Sequence, residues 1–334
     1  MYKEFVRRIT KSIPSERIYT DELRRFAWGT DAGFYRLTPQ VVVRAKNEAE
    51  VSQLLAVASE MHLPVTFRAA GTSLSGQAIS DSILVVAGKY WERYSVGEGG
   101  ETITLQPGIV GAEVNRILAP YGRKFGPDPA SIKSAMVGGI VMNNASGMCC
   151  GVWANSDRVL LSARLVFADG AVLDTADKAS REAFAASHKG LIDEICAIRD
   201  EVCADEVLAE RIRRKYTIKC VTGLNLLPFV LYDDPFDIIL HLVVGSEGTL
   251  CFVSEVTMRT LPLLSLHKTA MVYFKTIREA CEAVVAIKSL NVSAVELLDK
   301  RSLTAAGDTT GEDLTALLIE VEDAEQVALD EKVA

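Results

Sequence analysis

The 334-residue sequence lacks the patterns that mark several common classes of protein. It contains no Cys-x-x-Cys pair and only four scattered histidines, so the spacing predicts no metal site. It has no long run of Lys or Arg and carries a net charge of −8, which argues against nucleic acid as a partner. No apolar stretch approaches the roughly 20 residues that span a bilayer, and charges interrupt the N-terminus. We therefore predict neither an integral membrane segment nor a signal peptide.

The composition is otherwise that of a folded protein, with 49% hydrophobic residues and seven cysteines. Seven thiols cannot all pair within one chain, which favours reduced, mostly buried cysteines and a cytoplasmic location, or attachment to a membrane only through partners. The adjacent Cys149 and Cys150 suggest redox activity. A structural role is favoured, because adjacent cysteines form strained disulfides.

Strand and helix patterns alternate along the chain, and the length predicts two domains. Asn47 with Glu50, and Thr276 with Glu279, have the spacing of capping boxes that open helices, the second running to about residue 290. The other predicted helices cover 177–216 and the segment from 324 onward. Strands are predicted at 41–43, 65–67, 82–87, 102–105, 238–244, 250–258, 269–274, 292–297 and 316–321.

Residues 263–334 have the order strand, helix, strand, later strand, with which a small α+β sandwich begins. The chain ends within the next predicted helix, which would leave one sheet face uncovered. We therefore expect a fragment of a longer protein, the alternative being a natural short version of the second domain.

Glycine is concentrated in one part of the chain, since 14 of the 23 glycines lie between Gly71 and Gly151. Such clustering marks turns with positive φ or a backbone that another group approaches closely. The first glycine-rich stretch, FRAAGTSLSGQA (67–78), follows a predicted strand and offers amides and hydroxyls suited to a pyrophosphate. It fits neither a Walker loop nor a dinucleotide fingerprint, and a plain polar turn explains it equally well.

The second stretch, GPDPASIKSAMVGGIVMNNASGMCCG (126–151), is too long for an ordinary connection in a compact domain. Its Asn and Ser side chains beside small residues suit a heteroaromatic ring that carries carbonyl and N–H groups. The third stretch, GSEGTL (245–250), lies between two predicted strands, where a hairpin turn explains it in isolation.

Taken in this order, the three stretches resemble the FAD-binding domain of the vanillyl-alcohol-oxidase-like flavoproteins, within them the FAD-linked D-lactate / D-2-hydroxyacid dehydrogenases. The motifs that carry the resemblance are FRAAGTSLSGQA, GPDPAS, VGGIVMNNASGM and VVGSEGTL, and TGLN (222–225) also resembles a family loop near the cofactor. The resemblance covers about Asp31 to Thr260 and, more loosely, the chain to about Lys300. It implies an α+β fold: a two-subdomain FAD-binding domain (1–262) followed by the beginning of a ferredoxin-like substrate cap (263–334).

The resemblance implies that the first stretch holds the FAD pyrophosphate, the second lines the flavin and the third lies near the adenine half and the ribityl chain. The implied cofactor-binding residues are Arg68, Ala69, Ala70, Gly71, Thr72, Ser73, Leu74, Ser75, Gly76, Pro127, Asp128, Ser134, Gly138, Gly139, Asn143, Asn144, Ser146, Gly147, Gly245, Glu247, Gly248 and Thr249. Arg68 could pair with a phosphate or with an acidic neighbour on the surface. Ala69 and Cys251 stand where relatives commonly have Gly. The first stretch has no His, which implies noncovalent FAD.

The implied function is oxidation of a D-2-hydroxy acid, such as D-lactate, to the 2-oxo acid, with electrons passing to a quinone or carrier. Relatives place their catalytic residues beyond the part represented here, so the base stays unknown and we expect this chain alone to be inactive. A non-catalytic flavin-binding subunit of a multi-chain oxidase is the alternative, and a nucleotide-sugar reductase is a third.

Overall fold

The structure, a computed structural model, describes residues 1–287, 290, 292–307 and 313–333. Contacts divide the chain into two compact units. The first unit comprises Met1–Ser146 and Val152–Leu261, and the second comprises Gly147–Gly151 and Pro262–Ala334. Each unit has its own sheets and helices.

The first unit contains eleven α-helices and ten strands among its described residues. The helices are α1 (Tyr2–Ile9), α2 (Glu22–Ala27), α3 (Glu48–Glu60), α4 (Gly111–Leu118), α5 (Val137–Asn143), α6 (Ser156–Val159), α7 (Lys178–Ser187), α8 (Lys189–Ala204), α9 (Glu206–Lys215), α10 (Pro228–Leu231) and α11 (Pro235–Leu242). The strands are β1 (Ile18–Tyr19), β2 (Val41–Val43), β3 (Val65–Arg68), β4 (Ile83–Val86), β5 (Tyr94–Val96), β6 (Thr102–Leu105), β7 (Arg123–Lys124), β8 (Leu160–Val166), β9 (Val172–Asp174) and β10 (Phe252–Arg259). The short strand β11 (Leu261–Pro262) follows.

The N-terminal sheet of the first unit has the order β1-β2-β4-β3, with β2 and β3 both parallel to β4. Strands β2 and β4 consist of buried apolar residues, as expected for strands covered on both faces, whereas the residues of β3 are half-buried. Asn47 caps α3 by accepting the Glu50 amide at 3.0 Å, as predicted. The predicted capping box is incomplete, because the Glu50 carboxylate does not accept the Asn47 amide. It pairs with Arg17 at 2.6 and 2.7 Å and accepts the Lys46 amide at 2.8 Å.

The second sheet of this unit is antiparallel, with the order β5-β6-β10-β8-β9. Most of its buried side chains form one core cluster with those of α4, α5 and α11, while Val166 and Phe252 pack into the core of the N-terminal sheet. Two predictions in this region are wrong. The apolar segment 238–244 is not a strand but belongs mostly to α11, because Asp234 caps it by accepting the Phe236 amide and Pro235 takes its first position. The predicted helix 177–216 is divided into α7, α8 and α9, with Asp205 as the N-cap of α9.

The second unit contains a three-stranded antiparallel sheet of order β12-β14-β13. Its elements are β12 (Leu266–Phe274), α12 (Ile277–Ile287), β13 (Ala294–Leu298), α13 (Lys300–Ala305), β14 (Thr315–Asp323) and α14 (Gln326–Val333). Thr276 and Glu279 form the predicted capping box, with bonds of 3.2 Å in both directions. Helix α12 ends before the predicted residue 290; residues 288 and 289 lie outside the described chain. In the described part of the protein, no helix combines the length and the apolar character needed to cross a bilayer.

Candidate cofactor-binding site

A cavity of about 570 Å³ lies within the first unit, in the range of about 300–1,000 Å³ typical of small-molecule sites. Its walls come from all three glycine-rich stretches and from a fourth segment, Val221–Gly223. The predicted residues that line it are Arg68, Ala69, Ala70, Gly71, Thr72, Ser73, Leu74, Ser75, Gly138, Gly139, Asn143, Asn144, Ser146, Glu247 and Gly248. Those outside its lining are Gly76, Pro127, Asp128, Ser134, Gly147, Gly245 and Thr249.

The first stretch leaves β3 and bends through two glycines with positive φ, Gly71 (+73°) and Gly76 (+82°). Within the described chain, the amides of Thr72 and Ser73 donate to no protein acceptor, whereas the Ser75 amide donates to Ser73 Oγ at 3.3 Å. Unpaired amides in a glycine-rich turn form a concave site for an anion. The loop therefore has the geometry expected for holding a pyrophosphate.

Arg68 at the end of β3 lies beneath this loop rather than at the surface. Its Nη1 donates to the carbonyl oxygen of Thr30 at 2.6 Å, and a Cβ built on Gly71 would lie 2.4 Å from its Nη2. Its Nε is buried without a partner among the described residues, and desolvation lowers the pKa of the guanidinium. Arg68 also faces the carboxylate of Asp31, which opposes that shift. Arg68 is thus half-buried and faces an acidic neighbour, and its pairing with a phosphate stays a prediction.

The second stretch contributes α5, which begins with two differently constrained glycines. A Cβ on Gly138 would lie 2.6 Å from the Pro107 side chain, so this position has no space for one. A Cβ on Gly139, which lines the cavity, would make only an ordinary van der Waals contact with the Ala69 side chain, at 3.8 Å. Beyond α5, the Ser146 hydroxyl is buried at the cavity wall with no hydrogen-bond partner in the described chain. These features leave room for a flat ring and a polar group available to it.

Asn144 ends α5 in the left-handed region, at φ 52°, and its side chain faces a buried polar network. Its Nδ2 donates to Asp157 Oδ1 at 3.1 Å, and Asn225 Nδ2 donates to Asp157 Oδ2 at the same distance. His241 Nδ1 also donates to the Asp157 carbonyl at 3.1 Å, and burial lowers the pKa of this imidazole. Asn144 thus anchors the wall, because its amide is engaged with Asp157.

The third stretch connects α11 to β10, so the hairpin interpretation is wrong. Gly245 and Gly248 have φ values of +82° and +77°, and a Cβ on Gly245 would lie 2.6 Å from the Gly223 carbonyl oxygen. This close approach brings the third stretch against the fourth wall segment. Thr249 lines a separate cavity of about 220 Å³, and Cys251 lines both cavities. Complete burial raises the pKa of the Cys251 thiol to about 12.

Several cavity-lining residues were not predicted. They include Gln77 and Val221, together with the apolar side chains Met136, Ile140, Met142 and Phe252. Gln77 belongs to the quoted first motif, and Thr222 and Gly223 to the quoted TGLN segment. Met136, Ile140 and Met142 lie within the second stretch, but nothing in their type distinguishes them from core side chains, and Phe252 lies outside the quoted motifs.

The adjacent cysteines belong to the second unit and are not among the residues that line this cavity. Within that unit, Cys149 Sγ lies among potential ligand atoms of Glu320 and Glu322, all within 4.8 Å of one another. The Cys149 thiol donates to Glu320 at 3.3 Å, and Thr269 donates to the other oxygen of that carboxylate. The absence of a metal site stays a prediction.

Comparison with protein families matches both parts of the chain. Residues 39–176 match the family described as FAD binding domain, and residues 265–334 match the C-terminal domain of FAD linked oxidases. Both matched segments are of the kinds found in FAD-linked oxidases, as the sequence resemblance implied. FAD is accordingly its cofactor, and noncovalent attachment stays a prediction.

Three relatives illustrate the level of similarity. The chain is 25% identical over 278 residues to glycolate oxidase subunit GlcD of Escherichia coli (strain K12), covering 82% of this chain and 45% of that protein. It is 26% identical over 318 residues to D-2-hydroxyglutarate dehydrogenase of Pantoea ananatis, covering 91% and 30%. It is 25% identical over 274 residues to D-lactate dehydrogenase of Archaeoglobus fulgidus, covering 81% and 50%. The chain therefore spans half or less of the length of each relative.

A solved structure of alkyldihydroxyacetonephosphate synthase has a similar fold, with a TM-score of 0.67 and 17% identity. The match covers 100% of this chain and 58% of that one. Together with the family matches, this likeness confirms the predicted α+β class, with an FAD-binding domain followed by a segment of the C-terminal domain of FAD linked oxidases.

Proposed function

We propose that the whole protein oxidises a D-2-hydroxy acid to the 2-oxo acid, and that this chain supplies its FAD-binding part. The observation that carries the proposal is the convergence of the three predicted stretches on one cavity of about 570 Å³. The relatives support the substrate class, because D-lactate and D-2-hydroxyglutarate in their names are both 2-hydroxy acids.

In this proposal, residues 1–262 form the FAD-binding domain and residues 263–334 begin the substrate cap. The free amides of Thr72 and Ser73 bind the pyrophosphate, and Gly139 and the Ser146 hydroxyl face the flavin ring. When bound, FAD accepts the hydride from the substrate, and the protein's task is to orient the ring and exclude water. The absence of a His from the first stretch supports noncovalent attachment.

The catalytic base is assigned to a part of the protein outside this cavity. Among the described residues that line the cavity, the ionisable side chains are Arg68, Glu247 and Cys251, and none is a histidine. Arg68 is held beneath its loop, and Cys251 is a neutral thiol. We further propose a quinone or protein carrier as electron acceptor, which would bring the protein to a membrane surface through that partner.

Anaerobic titration of the full-length flavoprotein tests this function. D-lactate, glycolate and D-2-hydroxyglutarate are added separately, with L-lactate as the stereochemical control, and flavin absorbance is followed. We expect at least one D-2-hydroxy acid to bleach the flavin while L-lactate leaves it oxidised. The 334-residue chain alone, supplied with FAD, D-lactate and an artificial acceptor, should show no turnover.

A non-catalytic flavin-binding subunit is the second candidate, favoured by the lack of a histidine in the described cavity lining. The same titration separates the two functions. Flavin that dithionite reduces but no hydroxy acid bleaches would contradict the dehydrogenase and support the subunit.

A further inference from the structure

Glu247 is the one carboxylate among the described residues that line the main cavity. It is half-buried and has a φ of 57°, a left-handed conformation that few residues other than Gly, Asn and Asp adopt. Backbone strain of this kind is found most often at functional sites. This backbone conformation makes Glu247 a candidate functional residue.

The Glu247 carboxylate ends a chain of hydrogen bonds that crosses all three glycine-rich stretches. Asn143 Nδ2 donates to its Oε1 at 2.5 Å, and the Gln77 side chain also hydrogen-bonds to it. The hydroxyl of Ser73 bonds to Gln77 Oε1, so the Gln77 amide nitrogen is the group that faces Glu247. Glu247 is thus separated from the anion-binding loop by a single side chain.

No described cation is available to balance a charge on Glu247. Arg68 on β3 is the one cationic side chain in the described lining, and its guanidinium bonds to the Thr30 carbonyl and faces Asp31. The remaining ionisable group in the lining, Cys251, is a buried neutral thiol. Burial raises the pKa of Glu247 despite the two hydrogen bonds from Asn143 and Gln77.

A bound pyrophosphate would make an ionised Glu247 less favourable still. The bound pyrophosphate would exclude water from the Glu247 carboxylate. It would also bring negative charge to the first glycine-rich loop, which is linked to Glu247 by the side chains of Ser73 and Gln77. A protonated carboxyl, in contrast, keeps its acceptor oxygen for Asn143 and Gln77 and gains a donor for an oxygen of the cofactor.

We propose that Glu247 takes up a proton when FAD binds and donates a hydrogen bond to the cofactor, so that the affinity for FAD falls as pH rises. This inference rests on the proposed binding of FAD in the main cavity. It assigns to Glu247 a positioning role that senses pH, since the pyrophosphate of FAD does not itself titrate near neutrality.

The test is the dissociation constant of FAD for the apoprotein between about pH 5.5 and 8.5, measured by flavin fluorescence. Wild type should lose up to about tenfold in affinity per pH unit above the pKa of Glu247 in the apoprotein. Glu247→Gln keeps an acceptor oxygen and gains a permanent donor, so its affinity should be independent of pH and exceed that of wild type at the alkaline end. Glu98→Gln, at an exposed position, is the matched control and should behave as wild type.

Calorimetry in two buffers of different ionisation enthalpy gives a second readout, since wild type should take up protons on binding and Glu247→Gln should not. A pH-independent wild type, or a Glu247→Gln variant that retains the wild-type slope, would overturn the inference while leaving FAD binding intact. Wild-type affinity that rises with pH, together with a weakened Glu247→Gln variant, would show that the ionised carboxylate is the binding form and would also overturn the inference. Failure of folded wild type to bind FAD at any pH would contradict the proposed function as well.

Discussion

Replacing Asp157 with alanine should both destabilise the first unit and weaken the binding of FAD. Asp157 is 9% exposed and accepts one hydrogen bond from Asn144 and one from Asn225, which are 3% and 5% exposed. These two amides hold the end of α5 and the segment that follows Gly223. The end of α5 contributes to the wall of the main cavity, and so does the segment Val221–Gly223 that precedes Asn225.

The expected loss follows from the two amides that lose their acceptor. A buried donor without a partner costs about 1–3 kcal/mol, so Asp157→Ala should lower the free energy of unfolding by about 2–6 kcal/mol. Asp157→Asn keeps one acceptor oxygen but turns an amide towards the second donor, so about half of that loss is expected. In Asp157→Ala the cavity wall is no longer held by these hydrogen bonds and must be ordered when FAD binds. A cost of about 1.4 kcal/mol for this ordering would lower the affinity for FAD about tenfold.

Urea denaturation of the chain and FAD titration at a temperature where each variant is folded measure these two effects. Asp193→Ala is the control, because Asp193 is exposed and pairs only with Lys189 among the described residues. Its removal should cost less than about 1 kcal/mol. If Asp157→Ala lay within about 0.5 kcal/mol of this control, the Asp157 network would not support the wall.

Three further predictions concern other parts of the same unit. Gly139→Val should fold but bind FAD far more weakly than wild type in a fluorescence titration, because the valine side chain would enter the cavity. Gly190→Val is the control and should bind FAD normally, since no atom lies within 4 Å of the added Cβ. Iodoacetamide near neutral pH should modify the exposed Cys281 and spare the buried Cys251, whose pKa is raised to about 12. Peptide mass mapping measures the labelling of each cysteine, and equal labelling would contradict the burial of Cys251. His241 is neutral in the fold because burial lowers its pKa, so the stability it contributes is present above about pH 6.5 and is lost as pH falls towards its folded pKa. The stability difference between wild type and His241→Phe should therefore shrink between about pH 7.5 and 5.5, and a constant difference would refute this.

Local sequence signals predicted most of the elements that frame the cavity. The strand before the first stretch was predicted at 65–67 and is β3, and Asn47 caps α3 as its spacing indicates. The error at 238–244 has a physical cause, since a short run of apolar residues suits a buried strand and a buried helix equally well. The decisive signal was the preceding Asp234-Pro235, a capping residue followed by the residue preferred at the first helical position.

The contacts that position the site were beyond prediction from local patterns. Asp157 joins Asn144, 13 residues away, to Asn225, 68 residues away, and no local pattern connects these positions. Asn144, which its motif predicts to line the flavin, lies in the cavity lining, and its side-chain amide bonds to Asp157. The Gln77–Glu247 contact likewise depends on two distant stretches folding onto one cavity.

The central claim, that this chain holds FAD noncovalently in the main cavity, is tested most directly by the flavin content of the purified chain before and after reconstitution with FAD. After acid precipitation of wild type, the supernatant should contain intact FAD in a 1:1 ratio to the chain, identified by mass. The Gly139→Val sample, folded to the same extent, should contain far less. Flavin that stays in the protein pellet, equal FAD content in both samples, or no FAD on folded wild type would contradict the account.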